Sequence, residues 1–320
     1  MTQHVVAVTG CLGFFGKHLC RTLLQQGHVV YGLDAETYAA DLRARGSLAA
    51  FRGDFIYARQ RVEDLTHLPD VDVVFHLAAE THVDNSLTDA GVFLRTNVLG
   101  TYRMLEVLRG KRASKAPLLI HVSTDEVFGP SDTPKRPYDA FNPRNPYAAS
   151  KAAAEHLVAA YASTYDLRCR IVRPTNLYGT GQYPEKLIPR AVRRISRGLS
   201  VPIHGDGSAR RSWLEVGDAV DGLLTVWQYG RDGEAYHLGG NTTTDVRTIV
   251  QAIGDALGRD PQTAFTGPNP IGEFEYQRPG LDVSYQLDDL STRVLGWLPR
   301  GVLFDELPVL VAALRDEPYR

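Results

Sequence analysis

The 320-residue sequence predicts an α/β fold, a doubly wound parallel sheet with a smaller mixed α/β region toward the C-terminus. Three observations carry this expectation. Short apolar runs alternate with helix-spaced patterns through the first half, which calls for parallel strands joined by crossover helices on both faces. A glycine-rich turn, Gly10-Cys-Leu-Gly13-Phe-Phe-Gly16, stands directly between the first apolar run and the first helical pattern. The second half is interrupted by Pro174, Pro184, Pro189 and Pro202 and by Gly205-Asp-Gly207 and Gly239-Gly240, which suits shorter, mixed elements.

Taken in order, His4–Val8 is an apolar run ending at Thr9-Gly10, as a buried parallel strand should. Phe15, Leu19 and Leu23 recur at helical spacing until Gly27 supplies a stop. Val29–Leu33 forms the second strand and closes on Asp34, and Val71–Ala79 reads as another. A helix is expected over Val92–Leu108, a buried strand over Leu118–Val122 and an alanine-rich helix over Tyr147–Tyr161. Beyond the prolines, short helices are expected near Lys186–Arg197 and Thr248–Leu257. The length suggests about two domains, with residues 1–175 as the first, later segments returning to it, and 176–320 mainly the second.

Composition excludes several functions. With 35 Lys+Arg against 37 Asp+Glu, a net charge of −2 lacks the basic field of a nucleic-acid or membrane-surface binder. No run approaches the ~20 apolar residues that span a bilayer. Cys11, Cys20 and Cys169 are an odd set without pair spacing, which suits a reduced cytoplasmic protein and neither a disulfide framework nor a metal centre. No basic leader precedes the first strand, so a secretory signal is not expected.

The glycine turn carries the first chemistry. Between a strand and a helix, Gly10, Gly13 and Gly16 allow a tight turn and close backbone approach, and the helix N-terminus offers free N–H groups to a pyrophosphate. Asp34, ending the second strand, can accept from both ribose hydroxyls and would repel a 2′-phosphate, which favours NAD over NADP. The second motif is Tyr147-Ala-Ala-Ser-Lys151, whose spacing puts both side chains on one helix face. A tyrosine that acts as base near neutral pH needs its pKa lowered by about 3 units, or about 4 kcal/mol. A lysine ammonium ~4 Å away supplies about that much at an effective dielectric of 20.

Together these motifs resemble the extended short-chain dehydrogenase/reductase superfamily, whose fold is of Rossmann type. Three stretches narrow the resemblance to its nucleotide-sugar 4,6-dehydratases and extend it over nearly the whole chain. They are His76-Leu-Ala-Ala-Glu-Thr-His-Val-Asp-Asn-Ser86 with Thr96-Asn97-Val98, the segment Val122-Ser-Thr-Asp-Glu-Val-Phe-Gly129, and Gln182-Tyr-Pro-Glu-Lys-Leu-Ile-Pro189. The adjacent Thr124, Asp125 and Glu126 are the most specific element.

The resemblance implies a homodimeric enzyme using NAD on a glucose linked to dTDP or UDP. Tyr147, with Lys151, would deprotonate the 4-hydroxyl that Thr124 holds; Glu126 would be the base at carbon 5 and Asp125 the acid at the 6-hydroxyl. It further implies cofactor contacts at Phe14, Phe15, Ala35, Thr37, Val62, Leu77, Ala78, Ala79, Thr81, Thr96 and Leu177. Substrate contacts would fall at Thr81, Asn176, Lys186, Leu187, Pro202, His204, Arg211 and Arg278, with Arg211 as a clamp on the diphosphate. The sequence departs from the family pattern at Ala35-Glu36, at Arg61-Val62 where the family places Asp-Ile, at His204 in place of an aromatic residue, and at Leu281 in place of a histidine. Alternative readings are a 4-epimerase or decarboxylase of the same superfamily, or a non-catalytic NAD- or sugar-nucleotide-binding sensor.

Overall fold

The computed structural model describes residues 2–51, 53–111, 116–259 and 282–316. Seven parallel strands form the main sheet: β1 (Val5–Thr9), β2 (Val29–Asp34), β3 (Phe55–Arg59), β4 (Val73–His76), β5 (Leu118–Val122), β6 (Cys169–Pro174) and β9 (Ala235–Leu238), in the order β3-β2-β1-β4-β5-β6-β9. The order reverses between β1 and β4, and ligands of open α/β sheets bind beyond the strand ends at such a point. A smaller sheet holds β7 (Asn176–Tyr178), β8 (Arg210–Glu215) and β10 (Thr242–Asp245), with β8 central.

Strand alternation explains why both faces of the large sheet are covered. Val6 and Val8 of β1, Val73 and Phe75 of β4, and Leu118 and Ile120 of β5 share one core with Leu19 and Leu23 of α1 (Phe14–Gln25) and Val220 and Leu223 of α8 (Val216–Tyr229). The intervening Ala7, Val74 and Leu119 point the other way, into a core with Met104, Leu105 and Val158. These central strands are apolar on both sides, so they read as continuous runs. A third core joins α7 (Leu187–Ser196), α9 (Val246–Ala256) and the C-terminal helix α11 (Leu303–Asp316) around Trp213 of β8.

Several expected elements change at their ends, each for a visible reason. The strand expected over Val71–Ala79 stops at His76, because the Leu77 and Ala78 N–H groups leave the ladder and donate to the Thr9 hydroxyl, both at 3.1 Å. The helix expected over Val92–Leu108 is divided: α4 (Ala90–Phe93), a π-helical turn over Leu94–Leu99, then α5 (Gly100–Arg109). The wide turn lies where Asn97 is buried and Gly100 packs on Val62, a contact in which an added Cβ would lie 2.5 Å from Val62 Cγ2. The alanine-rich helix, α6, runs from Pro146 to Tyr165 and ends on Asp166 in the left-handed conformation (φ 56°). Sequence periodicity missed β3, β6, β9, α8, α11 and the small sheet. Helix α2 (Leu42–Ala49), α3 (Val83–Thr88) and the short α10 (Leu290–Arg293) complete the element order. Among the described residues, no helix is long and apolar enough to cross a membrane.

Candidate active site

A cleft of about 330 Å³ opens over the C-terminal ends of the central strands. Its floor is the glycine turn. Gly10 has φ +68°, and a Cβ there would meet the Ala78 backbone at 3.0 Å; a Cβ on Gly16 would sit 2.0 Å from the Gly10 carbonyl oxygen. Both positions therefore require glycine, the first for backbone conformation and the second for helix-to-loop contact. Gly13 caps α1 without a side-chain hydrogen bond, which leaves the first N–H groups of that helix without a side-chain acceptor where Phe14, Phe15 and Gly16 line the cleft. Asp34 accepts from Leu12 N (2.9 Å) and Glu36 N (2.8 Å). Burial raises its pKa, while those two N–H groups oppose the rise. This cradle fits a dinucleotide: small residues where a pyrophosphate must approach, and a carboxylate where a ribose would end.

A buried polar chain ties that cradle to α6. Thr9 Oγ1 and His76 Nδ1 are 2.8 Å apart, and His76 Nε2 lies 3.1 Å from Thr101 Oγ1. Thr101 donates to the Asn97 carbonyl at 2.7 Å, Asn97 Nδ2 donates to Ser150 Oγ at 2.8 Å, and Ser150 Oγ donates to the Tyr147 carbonyl at 2.7 Å. Burial lowers the His76 pKa to about 3, so the imidazole is neutral.

The chemical centre lies where β5 ends. Thr124 caps a single 3₁₀ turn, Asp125–Phe128, and its hydroxyl accepts from Glu126 N at 3.3 Å and donates to Asp125 Oδ1 at 3.1 Å. Asp125 Oδ2 is buried and makes no hydrogen bond. Burial, reinforced by the neighbouring Glu126, pushes the Asp125 pKa up to about 7, with Arg211 opposing the rise. At neutral pH this carboxyl carries a proton about half the time, as a general acid requires. Glu126 accepts from Asn145 Nδ2 at 3.1 Å, and Asn145 also caps α6 by accepting from Ala148 N at 2.8 Å. One asparagine thus fixes the glutamate to the start of the helix that carries Tyr147. Asn145 was missed from sequence; an N-cap before Pro-Tyr was the available signal.

Tyr147 is buried in the cleft wall, four residues before Lys151 on α6. Burial and the Glu126 and Asp125 carboxylates push the phenol well above its ordinary pKa, with only the Thr124 hydrogen bond lowering it. The Lys151 ammonium donates to the Val122 carbonyl at 2.7 Å, and burial lowers its pKa to about 8. That bond holds the lysine at the end of β5.

The cleft brings together most of the expected cofactor contacts: Phe14, Phe15, Ala35, Thr37, Val62, Leu77, Ala78, Ala79, Thr96 and Leu177 all line it. At its other end stand Thr81, Asn176 and Lys186, and the Lys186 ammonium donates to the Thr81 carbonyl and hydroxyl at 3.1 and 3.2 Å. Four expected substrate residues do not line it. Leu187 packs on the third core, and Pro202 lies in the loop before β8. His204 Nε2 stands 3.4 Å from Asp84. The Arg211 guanidinium lies 4.6 Å over the Tyr285 ring and donates to the Asp282 carbonyl at 3.1 Å, still close enough to act on Asp125. Arg278 and Leu281 lie outside the described residues. The Arg61-Val62 departure lines the cleft, with Arg61 Nη1 at 3.3 Å from Glu63. Among the described residues, no group of three or more His, Cys, Asp or Glu side chains is placed to hold a metal ion.

Comparison with known proteins agrees with this architecture. The model of the NAD dependent epimerase/dehydratase family matches residues 6–239. A dTDP-glucose 4,6-dehydratase from Streptomyces griseus is 39% identical, over 98% of this chain and 94% of its own. The solved dTDP-glucose 4,6-dehydratase of Streptomyces venezuelae, with NAD bound, superposes with a TM-score of 0.89 at 34% identity, covering 98% of this chain and 97% of its own. A UDP-glucuronic acid 4-epimerase from Bacillus cereus shares the fold, with a TM-score of 0.88 at 24% identity over 97% of this chain and 99% of its own.

Proposed function

The chain belongs to the NAD dependent epimerase/dehydratase family, and from that premise we propose that it is a nucleotide-sugar 4,6-dehydratase acting on dTDP-glucose or UDP-glucose. Gly10, Gly13, Gly16 and Asp34 would hold NAD⁺, which when bound would supply an acceptor for the carbon 4 hydride and its return to carbon 6. Tyr147 takes the proton of the 4-hydroxyl as phenolate, a form that the positive charges of Lys151 and of bound NAD⁺ would favour against the burial that raises its pKa, with Thr124 holding that hydroxyl in line. The ketone so formed acidifies the hydrogen on carbon 5, and Glu126, steadied by Asn145, removes it. Asp125 protonates the departing 6-hydroxyl, which leaves as water. As the hydride reaches carbon 6, Glu126 returns its proton to carbon 5, and the proton held by Tyr147 makes good, through solvent, the one Asp125 gave up. The product is a 4-keto-6-deoxy sugar and water, and the reaction consumes no net oxidant. Each positioned proton transfer is worth about 10²–10⁴ in rate.

The observation that carries this reading is the carboxyl pair on one turn beside the phenol. Both carboxyls line the cleft, and burial raises the pKa of one to about 7. A 4-epimerase or decarboxylase needs only the tyrosine step, so it gives no account of Asp125. The reading extends to a cytoplasmic homodimer. The buried free thiols of Cys11, Cys20 and Cys169 support a reducing compartment, and exposed Leu94 and Leu99 support a helical contact face. Residues 1–175, with later returning segments, would hold the cofactor, and 176–320 mainly the substrate.

The test is product analysis on dTDP-, UDP-, GDP- and CDP-glucose labelled with deuterium at carbon 4. Label recovered at carbon 6 with loss of water supports the dehydratase. Retained water with inversion at carbon 4 assigns the epimerase instead, and bound NAD without turnover on any of the four assigns the sensor.

A further inference from the structure

The cofactor reading leaves one departure unexplained: an acidic residue, Glu36, two positions past Asp34. Glu36 adopts φ +53°, a left-handed conformation uncommon for a residue with a Cβ. Its neighbours Ala35 and Thr37 line the cleft, whereas Glu36 does not. Its carboxylate turns toward β3 and α2, where it meets Arg45 Nη1 at 2.9 Å, Arg59 Nε at 3.3 Å and the Tyr57 hydroxyl at 3.0 Å. Arg59 is exposed and does not itself line the cleft, but it stands at the cleft's edge. It lies opposite Asp34 in the β2–β3 register and precedes Gln60, which lines the cleft. An arginine beside the acid that ends the second strand stands where a 2′-phosphate would be recognised, because its planar fork matches phosphate geometry.

We propose that Glu36 is a second determinant of cofactor choice, one that engages Arg45 and Arg59 at the ribose edge and so denies them to a 2′-phosphate. Asp34 repels that phosphate directly; Glu36 occupies the cations that would otherwise attract it. The two carboxylates act on opposite sides of the same discrimination, one adding repulsion and the other removing attraction. This inference rests on the dinucleotide part of the proposed function.

The test is titration of the cofactor-stripped full chain with NAD⁺ and with NADP⁺, followed by calorimetry, for the unaltered protein and for Glu36→Gln. An arginine–phosphate contact at a site this exposed is worth about tenfold in affinity. The NADP⁺/NAD⁺ ratio of dissociation constants should therefore fall about tenfold in Glu36→Gln, mainly through tighter NADP⁺ binding. Adding Arg59→Ala to Glu36→Gln should restore the ratio. Glu36→Ala, which also removes the Tyr57 contact, should show the same fall and serves if the glutamine variant folds poorly. An unchanged ratio, or equal weakening of both nucleotides, overturns the proposal. Failure of the unaltered chain to bind NAD⁺ at all would overturn the cofactor reading itself and this inference with it.

Discussion

Replacing Asp125 with asparagine should destroy dehydration and stabilise the protein, and the second effect depends on pH in a calculable way. Burial lifts the Asp125 pKa from 3.8 to about 7. The folded state therefore holds a proton that the unfolded chain releases anywhere between those values. The unfolded state binds fewer protons in that window, so stability falls as pH rises through it, by about 1.4 kcal/mol per pH unit, and levels off above pH 7. The whole excursion is of order 4 kcal/mol, and the part between pH 5 and pH 7 is about 2–3 kcal/mol. Asparagine keeps the shape and does not titrate. The Asp125→Asn variant should gain on the parent by that amount over the same interval. With an unfolding entropy of roughly 2 cal/mol/K per residue, this is about 3–5 °C in Tm for a chain of this length. Thermal unfolding of both proteins at pH 5, 6, 7 and 8 is the assay. A Tm difference independent of pH would show that Asp125 is ionised in the folded state, and the acid role would fall with it.

Tyr147→Phe should prevent oxidation at carbon 4, with at least a ~10²-fold loss of turnover and no transient reduced-nicotinamide absorbance; an undiminished transient would refute its role as base. Asn145→Ala removes one hydrogen bond to Glu126 and one helix cap. It should cost about 1 kcal/mol of stability and slow solvent-deuterium exchange at carbon 5 about tenfold with KM little changed. A loss confined to stability would make Asn145 a cap only. Glu155→Gln leaves Arg173 charged and buried without its 2.6 Å carboxylate partner. About 3–5 kcal/mol of destabilisation is expected in urea unfolding, and a change below ~1 kcal/mol would count against a dry ion pair.

What the sequence disclosed follows a physical division. The central strands announce themselves because burial on both faces leaves an unbroken apolar run, as in Leu118–Val122. The glycine turn and the Thr124–Asp125–Glu126 turn are local, so adjacency in sequence is adjacency in space. Contacts made across the fold stayed hidden. Asn145 reaches Glu126 from 19 residues away, and nothing between them signals the bond. The bond from Lys151 to the Val122 carbonyl stayed hidden for a related reason, since its acceptor is backbone, which no side-chain pattern reveals. The small sheet was unreadable because β7 is three residues long and β10 four, too short for any period to register.

The buried chain through Thr9, His76, Thr101, Asn97 and Ser150 works as a measuring rod between two parts that must agree. It sets how far the tyrosine-bearing helix stands from the phosphate-side loop, so sliding α6 by one residue would break the Asn97–Ser150 link on which the rest of the chain depends. Chimeras that graft the catalytic helix from a related enzyme should therefore carry all five positions across as one unit, whereas residues at the mouth can be swapped singly. New specificity is within easy reach at the rim of this scaffold, and the spacing beneath it is not.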